Sequence, residues 1–278
     1  MNPTDYDFLT QYIHDGSGLA LGAGKEYLLE ARLIPLAQSW GIHDLPELVR
    51  TLGNNRDARL SEAVIEAMTS NETLFYRDKH PFDEMKDTLV PNLINARQSQ
   101  RHLRIWSAAC STGQEAYSLA MLLHENFPDV ANAWRIDIVG TDLSQNALAQ
   151  AKDGVYSQFE VQRGLPIRYL VKYFQQVGRG WQVKPDIRQM VSFTPLNLLE
   201  DFQDLGRFDI IFCRNVLIYF NSGNKKIILD RIADCLHPDG YLILGASETV
   251  LGITGTMKRD ARFRSTIYVP ATAVMVKS

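Results

Sequence analysis

The chain has 278 residues, 45% hydrophobic and 22% charged, with 29 Lys and Arg against 32 Asp and Glu and a net charge of −3. That length suffices for one large or two modest domains with a real core, and the charge balance gives no chain-wide basis for holding nucleic acid or an anionic membrane. The three cysteines (Cys110, Cys213, Cys235) and six histidines lack metal-site spacing, so reduced thiols, no metal and a cytoplasmic location are expected.

The opening "MNPTDYDFLTQYIHDGSG" carries acids where a secretion signal needs a basic start and an apolar stretch. No run approaches the roughly 20 apolar residues of a membrane span. Residues 1–68 read as a small all-α domain. Phe8, Leu9, Tyr12 and Ile13 recur at helical spacing, as do Leu28, Leu29, Leu33, Leu36 and Trp40 in "KEYLLEARLIPLAQSWG". Pro35 is placed to bend or restart that helix. "DLPELVRTLG" and "DARLSEAVIEAM" supply two more short helices.

Residues 69–88 form a linker containing "TSNETLFYR". Thr69 and Glu72 fit a capping box that would open a helix there. Such a helix would present Thr73 and Arg77 on one side.

Residues 89–278 change pattern. "LRIWSAA", "RIDIVGTDL", "MVSFTPL", "FDIIFCRNVLIYF" and "GYLILGASE" read as strands. "EAYSLAMLLHENF", "SQNALAQAKDGVY" and "NKKIILDRIADCLH" read as helices between them. The alternation predicts an α/β, Rossmann-like, doubly wound and mostly parallel sheet. "RFRSTIYVP" is a late strand suited to antiparallel pairing at the sheet edge. A stretch at about 160–193, with "VGRG" as a turn, reads as a small antiparallel β insertion.

In "WSAACSTGQEAYS" a strand runs into tiny residues and then a helix start. Small residues admit a ligand to the backbone, and helix N–H groups face it. Glu115 at that start disfavours a pyrophosphate, and Gly113 stands alone with no GxGxxG or GK[ST]. S-adenosylmethionine (SAM), with a sulfonium and an ammonium but no phosphate, suits the loop better. Asp142 ends the next strand, where an acid accepts both ribose hydroxyls. Arg214 and Asn215 end a buried apolar strand and are costly to bury unpaired. Plainer readings stand beside these: Glu115 as a first-turn acid favoured by the helix dipole, and Asp142 as a turn residue.

These segments, with "GTDLS" and "LHPDGYLILGASE", resemble in order the motifs of the CheR chemotaxis-receptor methyltransferases, and "MTSNETLFYRD" resembles that family's linker. The resemblance implies a SAM-dependent protein-glutamate O-methyltransferase. It would methylate glutamates on the cytoplasmic helices of chemoreceptors, releasing S-adenosylhomocysteine (SAH). It implies cofactor contacts from Asn71, Thr73, Arg77, Glu115, Asp142, Asn197, Leu198, Arg214 and Asn215, with Arg77 and Tyr219 at the methyl-transfer centre. In some members the β insertion docks a receptor tail peptide. The all-α domain helps hold the receptor, for which Lys25, Arg32, Arg50, Arg56 and Arg59 are available unless they are simply a solvated face. Gln114, Ala116 and Ala246 depart from the family's usual residues. A monomer is the default expectation. The rival readings are a non-catalytic SAM-binding adaptor and a methyltransferase for another substrate. A nucleic-acid methyltransferase lacks its NPPY-like motif here.

Overall fold

The computed structural model describes residues 2–22, 24–54 and 57–272. They divide into two compact units, Met1–Ser70 with Tyr219–Asn224, and Asn71–Ile218 with Lys225–Ser278.

The first unit holds the helices Pro3–Ser17, Glu26–Ser39, Leu45–Asn54 and Ala58–Met68. Asn2 caps the first by accepting the Asp5 N–H at 2.8 Å, and Gly18 ends it in the left-handed region at φ 76°. Leu9, Ile13, Leu29, Leu33, Leu48 and Val64 are fully buried and form its core. The second helix continues through Pro35 to Ser39, so the expected restart does not occur. Arg32 is not a free surface cation. Its Nη1 donates to the Met68 and Thr69 carbonyls, each at 2.8 Å, where it satisfies the open end of the fourth helix. Arg56, in the basic set above, lies outside the described residues.

Among its described residues the second unit holds ten strands: β1 (His102–Ala108), β2 (Arg135–Asp142), β3 (Val155–Ser157), β4 (Phe174–Val177), β5 (Gly180–Val183), β6 (Val191–Pro195), β7 (Phe208–Cys213), β8 (Leu236–Leu244), β9 (Met257–Arg259) and β10 (Ile267–Pro270). Seven form one sheet in the order β6-β2-β1-β7-β8-β10-β9. The first five of that order are mutually parallel, and β10 runs antiparallel to both β8 and β9. β7 is buried at every position, which is why "FDIIFC" is a continuous apolar run rather than an alternating one. The antiparallel strand lies next to the edge. The outermost strand is β9, too short at "MKR" to leave a periodic signal.

β3, β5 and β4 form the separate antiparallel sheet, in that order. Gly178, at φ 58°, starts the two-residue connection that pairs Val177 with Gly180. "IRYLVKY" before it is helical, Ile167–Tyr173, and Val191–Phe193 belongs to the main sheet through β6.

The "TSNETLFYR" segment corrects the helical expectation. Thr69 closes the preceding helix, its hydroxyl donating to the Glu66 carbonyl at 2.7 Å. Residues 71–74 carry no regular structure, and 75–79 turn through positive φ at Tyr76, Asp78 and Lys79 before a helix begins at His80. The anchor is Phe75, fully buried against Tyr156 and Phe174 at centroid distances of 5.1 and 5.6 Å. A Cβ at Gly164 would lie 2.0 Å from the Phe75 carbonyl oxygen, so only glycine allows that approach.

Candidate active site

The chain order of the sheet reverses at β1, whose neighbours are β2 and β7. In a doubly wound sheet the ligand crevice opens there, beyond the carboxyl ends of the strands. The loop after β1 is tightly bent. Ala109, Ser111 and Gly113 have φ of 55°, 52° and 91°. Non-glycine residues in that region cost on the order of 1 kcal/mol or more and mark functional turns. A Cβ on Gly113 would lie 2.9 Å from the Ala151 Cβ. The helix Gln114–Asn126 follows at once.

Asp142 ends β2 and is 8% exposed. Its two carboxylate oxygens accept the Ser111 N–H at 2.7 Å and the Ser144 N–H at 2.9 Å. Asn71 joins this group, its carbonyl accepting the Ser111 hydroxyl at 2.9 Å and its Nδ2 lying 3.3 Å from the Ser144 Oγ. Thr73 is half-buried in the same non-helical stretch.

Glu115 projects from the first turn of its helix. Its Oε1 accepts the Ser107 hydroxyl at 2.7 Å, and its Oε2 accepts Arg214 Nη1 at 2.9 Å. Arg214 Nη2 also donates to the Arg77 carbonyl at 2.9 Å and to the Asp78 carboxylate at 2.7 Å. The buried Arg214 thus ties the linker to the first helical turn, and its charge is balanced on the spot. The Arg77 guanidinium is far less committed: its one side-chain hydrogen bond among the described residues reaches the Glu72 carbonyl at 3.1 Å.

Register sets Asp142 beside Pro195 of β6. The turn after Pro195 carries Asn197, whose Oδ1 accepts the Leu199 N–H at 3.0 Å, and the buried Leu198. Arg231 clamps that turn through the Leu199 and Glu200 carbonyls, at 2.6 and 2.7 Å. Asn215, at φ 59°, follows Arg214 beyond β7. Tyr219 ends the 3-10 turn Leu217–Tyr219 and clusters with the helical unit, where its carbonyl accepts the Ala20 N–H at 2.8 Å.

Four residues of the site carry no signal in the sequence: Ser107, Ser111, Asp78 and Glu248. Their partners are Glu115, Asp142, Arg214 and, for Glu248, the backbone N–H groups of Asn215, Val216, Leu217 and Gly245, and only the fold brings them together. Burial pushes the Cys110 and Cys213 pKa values up, and neighbouring carboxylates add to the rise, which disfavours the nucleophilic thiolate. Among the described residues, no group of three or more His, Cys, Asp or Glu is placed to hold a metal ion. No helix among them is long and apolar enough to cross a membrane.

The donor set fits SAM: one carboxylate at a helix start for an ammonium, one at a strand end for a ribose diol, and an apolar turn for an adenine. A phosphate would meet two acids. Fold and donor set together define a SAM-dependent methyltransferase. The family model "CheR methyltransferase, SAM binding domain" matches residues 71–263, and "CheR methyltransferase, all-alpha domain" matches residues 4–69. The chain belongs to the CheR methyltransferase family. It is 46% identical over 251 residues to Chemotaxis protein methyltransferase 1 of Pseudomonas aeruginosa, covering 88% of this chain and 90% of that one. It is 44% identical over 252 residues to Chemotaxis protein methyltransferase Cher2 of Pseudomonas putida, covering 90% and 91%. Against the Chemotaxis protein methyltransferase of Escherichia coli it is 33% identical over 246 residues, covering 86% and 82%.

Proposed function

We propose that the protein, acting as a monomer, transfers a methyl group from SAM to glutamate side chains on the cytoplasmic helices of chemoreceptors, forming glutamyl methyl esters. The observation that carries this reading is Arg77. A guanidinium with one side-chain hydrogen bond among the described residues, on the segment that Arg214 ties to Glu115, has donors to spare for an incoming carboxylate.

The substrate side chain has an ordinary pKa near ~4.3, so it is already a carboxylate at neutral pH and no general base is required. The cofactor supplies a methyl group activated on a sulfonium. The remaining work is alignment and exclusion of water. Arg77 orients the carboxylate, and Tyr219 contributes its hydroxyl at the transfer centre. Glu115 holds the ammonium, with Arg214 fixing the carboxylate's orientation. Asp142 holds the ribose, while Asn197 and Leu198 flank the adenine. Asn71, Thr73 and Asn215 complete the cofactor contacts.

In domain terms, residues 1–68 are the helical domain that helps hold the receptor, 69–88 the linker that supplies Asn71, Thr73 and Arg77, and 89–278 the SAM-dependent methyltransferase domain. A receptor tail peptide at the small sheet is a second element of this reading. It is supported by β4, an outer strand with Gln175, Gln176 and Val177 exposed, which is open to strand addition.

The test is to incubate the protein with SAM and a chemoreceptor cytoplasmic fragment and to map methylated residues by mass spectrometry. Methyl esters confined to glutamate are expected. Methyl groups on lysine, arginine or asparagine, or none with SAM bound, would overturn the reading.

A further inference from the structure

We infer that Glu248 is a positioning residue for the cofactor, acting through Asn215. The inference rests on the reading of Asn215 as a SAM contact.

Glu248 is 5% exposed, and its carboxylate accepts four backbone N–H groups. Oε2 accepts from Asn215 at 2.8 Å and from Gly245 at 2.7 Å. Oε1 accepts from Val216 at 2.9 Å and from Leu217 at 2.8 Å. A carboxylate presents about four acceptor positions, so one side chain satisfies a complete set of donors. Three come from the turn beyond β7, and the fourth comes from the end of β8. That turn begins at Asn215, a non-glycine residue at φ 59°, a conformation that persists only where its surroundings impose it. Glu248 is what imposes it here.

No other side chain does this. After Glu248→Gln the amide nitrogen would face N–H donors instead of accepting from them, and an aspartate would fall a methylene short. Gly245 is part of the same device. A Cβ there would lie 2.7 Å from Glu248 Oε2 and 3.0 Å from both the Asn215 N and Nδ2 atoms. The carboxylate thus holds the Asn215 backbone N–H, and the missing Cβ at Gly245 leaves the room that the Asn215 Nδ2 occupies.

The experiment titrates SAH into wild type, Asn215→Ala, Glu248→Gln and the double variant by calorimetry, with thermal midpoints recorded for all four. Gly245→Ala, alone and with Asn215→Ala, perturbs the same contact without removing a polar group, and carries the test if Glu248→Gln does not fold. Expected is about tenfold or greater weakening by Glu248→Gln and by Gly245→Ala, with neither weakening Asn215→Ala further. The fall in thermal midpoint from Glu248→Gln should persist in both backgrounds, which separates stability from positioning. Equal weakening with and without Asn215 would overturn the inference, as would an unchanged affinity with a lowered midpoint. An Asn215→Ala protein that binds SAH like wild type would remove the Asn215 assignment itself.

Discussion

Arg214 and Glu115 meet through a 2.9 Å hydrogen bond between side chains that are 2% and 12% exposed. Their 99-residue separation brings the end of β7 to the start of the helix after β1. Removing one member of a buried pair strands the other charge, at a cost of about 3–5 kcal/mol. Arg214→Leu should therefore lose stability of that order in urea unfolding and weaken SAH binding. Arg214→Lys should rescue only part of it, because a single ammonium cannot match the planar fork that reaches Glu115, Asp78 and the Arg77 carbonyl. Wild-type stability in Arg214→Leu would contradict the pairing.

Two substitutions should divide binding from chemistry. Asp142→Ala removes an acceptor for the Ser111 and Ser144 N–H groups; on the proposed ribose role, losing charge-assisted bonds of about 1.5–3 kcal/mol should weaken SAH about 10- to 100-fold. Arg77→Ala should lower turnover more than it lowers SAH affinity. Calorimetry beside steady-state kinetics checks both, and an Arg77→Ala enzyme with unchanged turnover would remove the role given to that residue.

The crevice walls leave no room for a methyl group at two glycines. A Cβ at Gly140 would lie 2.6 Å from the Phe193 ring, and one at Gly113 would meet Ala151 at a strained φ of 91°. Gly140→Ala and Gly113→Ala should each lower stability by about 1–3 kcal/mol. Thermal midpoints measured in the absence of cofactor report this directly.

Stability should fall with acid in two steps. Burial holds the His237 pKa below its ordinary 6.5, so the unfolded chain takes up that proton first and stability declines as pH drops below about 6.5. The Arg97 hydrogen bonds hold Asp239 below 3.8, and Arg262 does the same for Asp260. Their contribution is present above 3.8 and is lost as pH falls through the lowered values. Urea midpoints taken across pH should show both steps, and His237→Gln should remove only the upper one.

The sheet was legible because its strands are short apolar runs broken by helical periodicity, and the buried β7 is the plainest case. The "TSNETLFYR" turn was not. Thr69 and Glu72 satisfy a local helix-start pattern, but Phe75 is pulled into a core built from Tyr156 and Phe174, and tertiary packing overrides the local preference. Arg214 could be singled out from sequence because a cation in an apolar strand needs a partner. Which partner was invisible, since Glu115 and Asp78 reach it only through the fold. Glu248 was hidden for the same reason: its four donors are backbone groups, which leave no trace in residue type.

The most direct measurement is methyl transfer from tritiated SAM to chemoreceptor-bearing membranes, with Arg77→Ala alongside and alkali used to release label as methanol. Base-labile label on the receptor, sharply reduced with Arg77→Ala, is the expected result. Alkali-stable label, or equal labelling by both proteins, would contradict carboxylate methylation guided by Arg77.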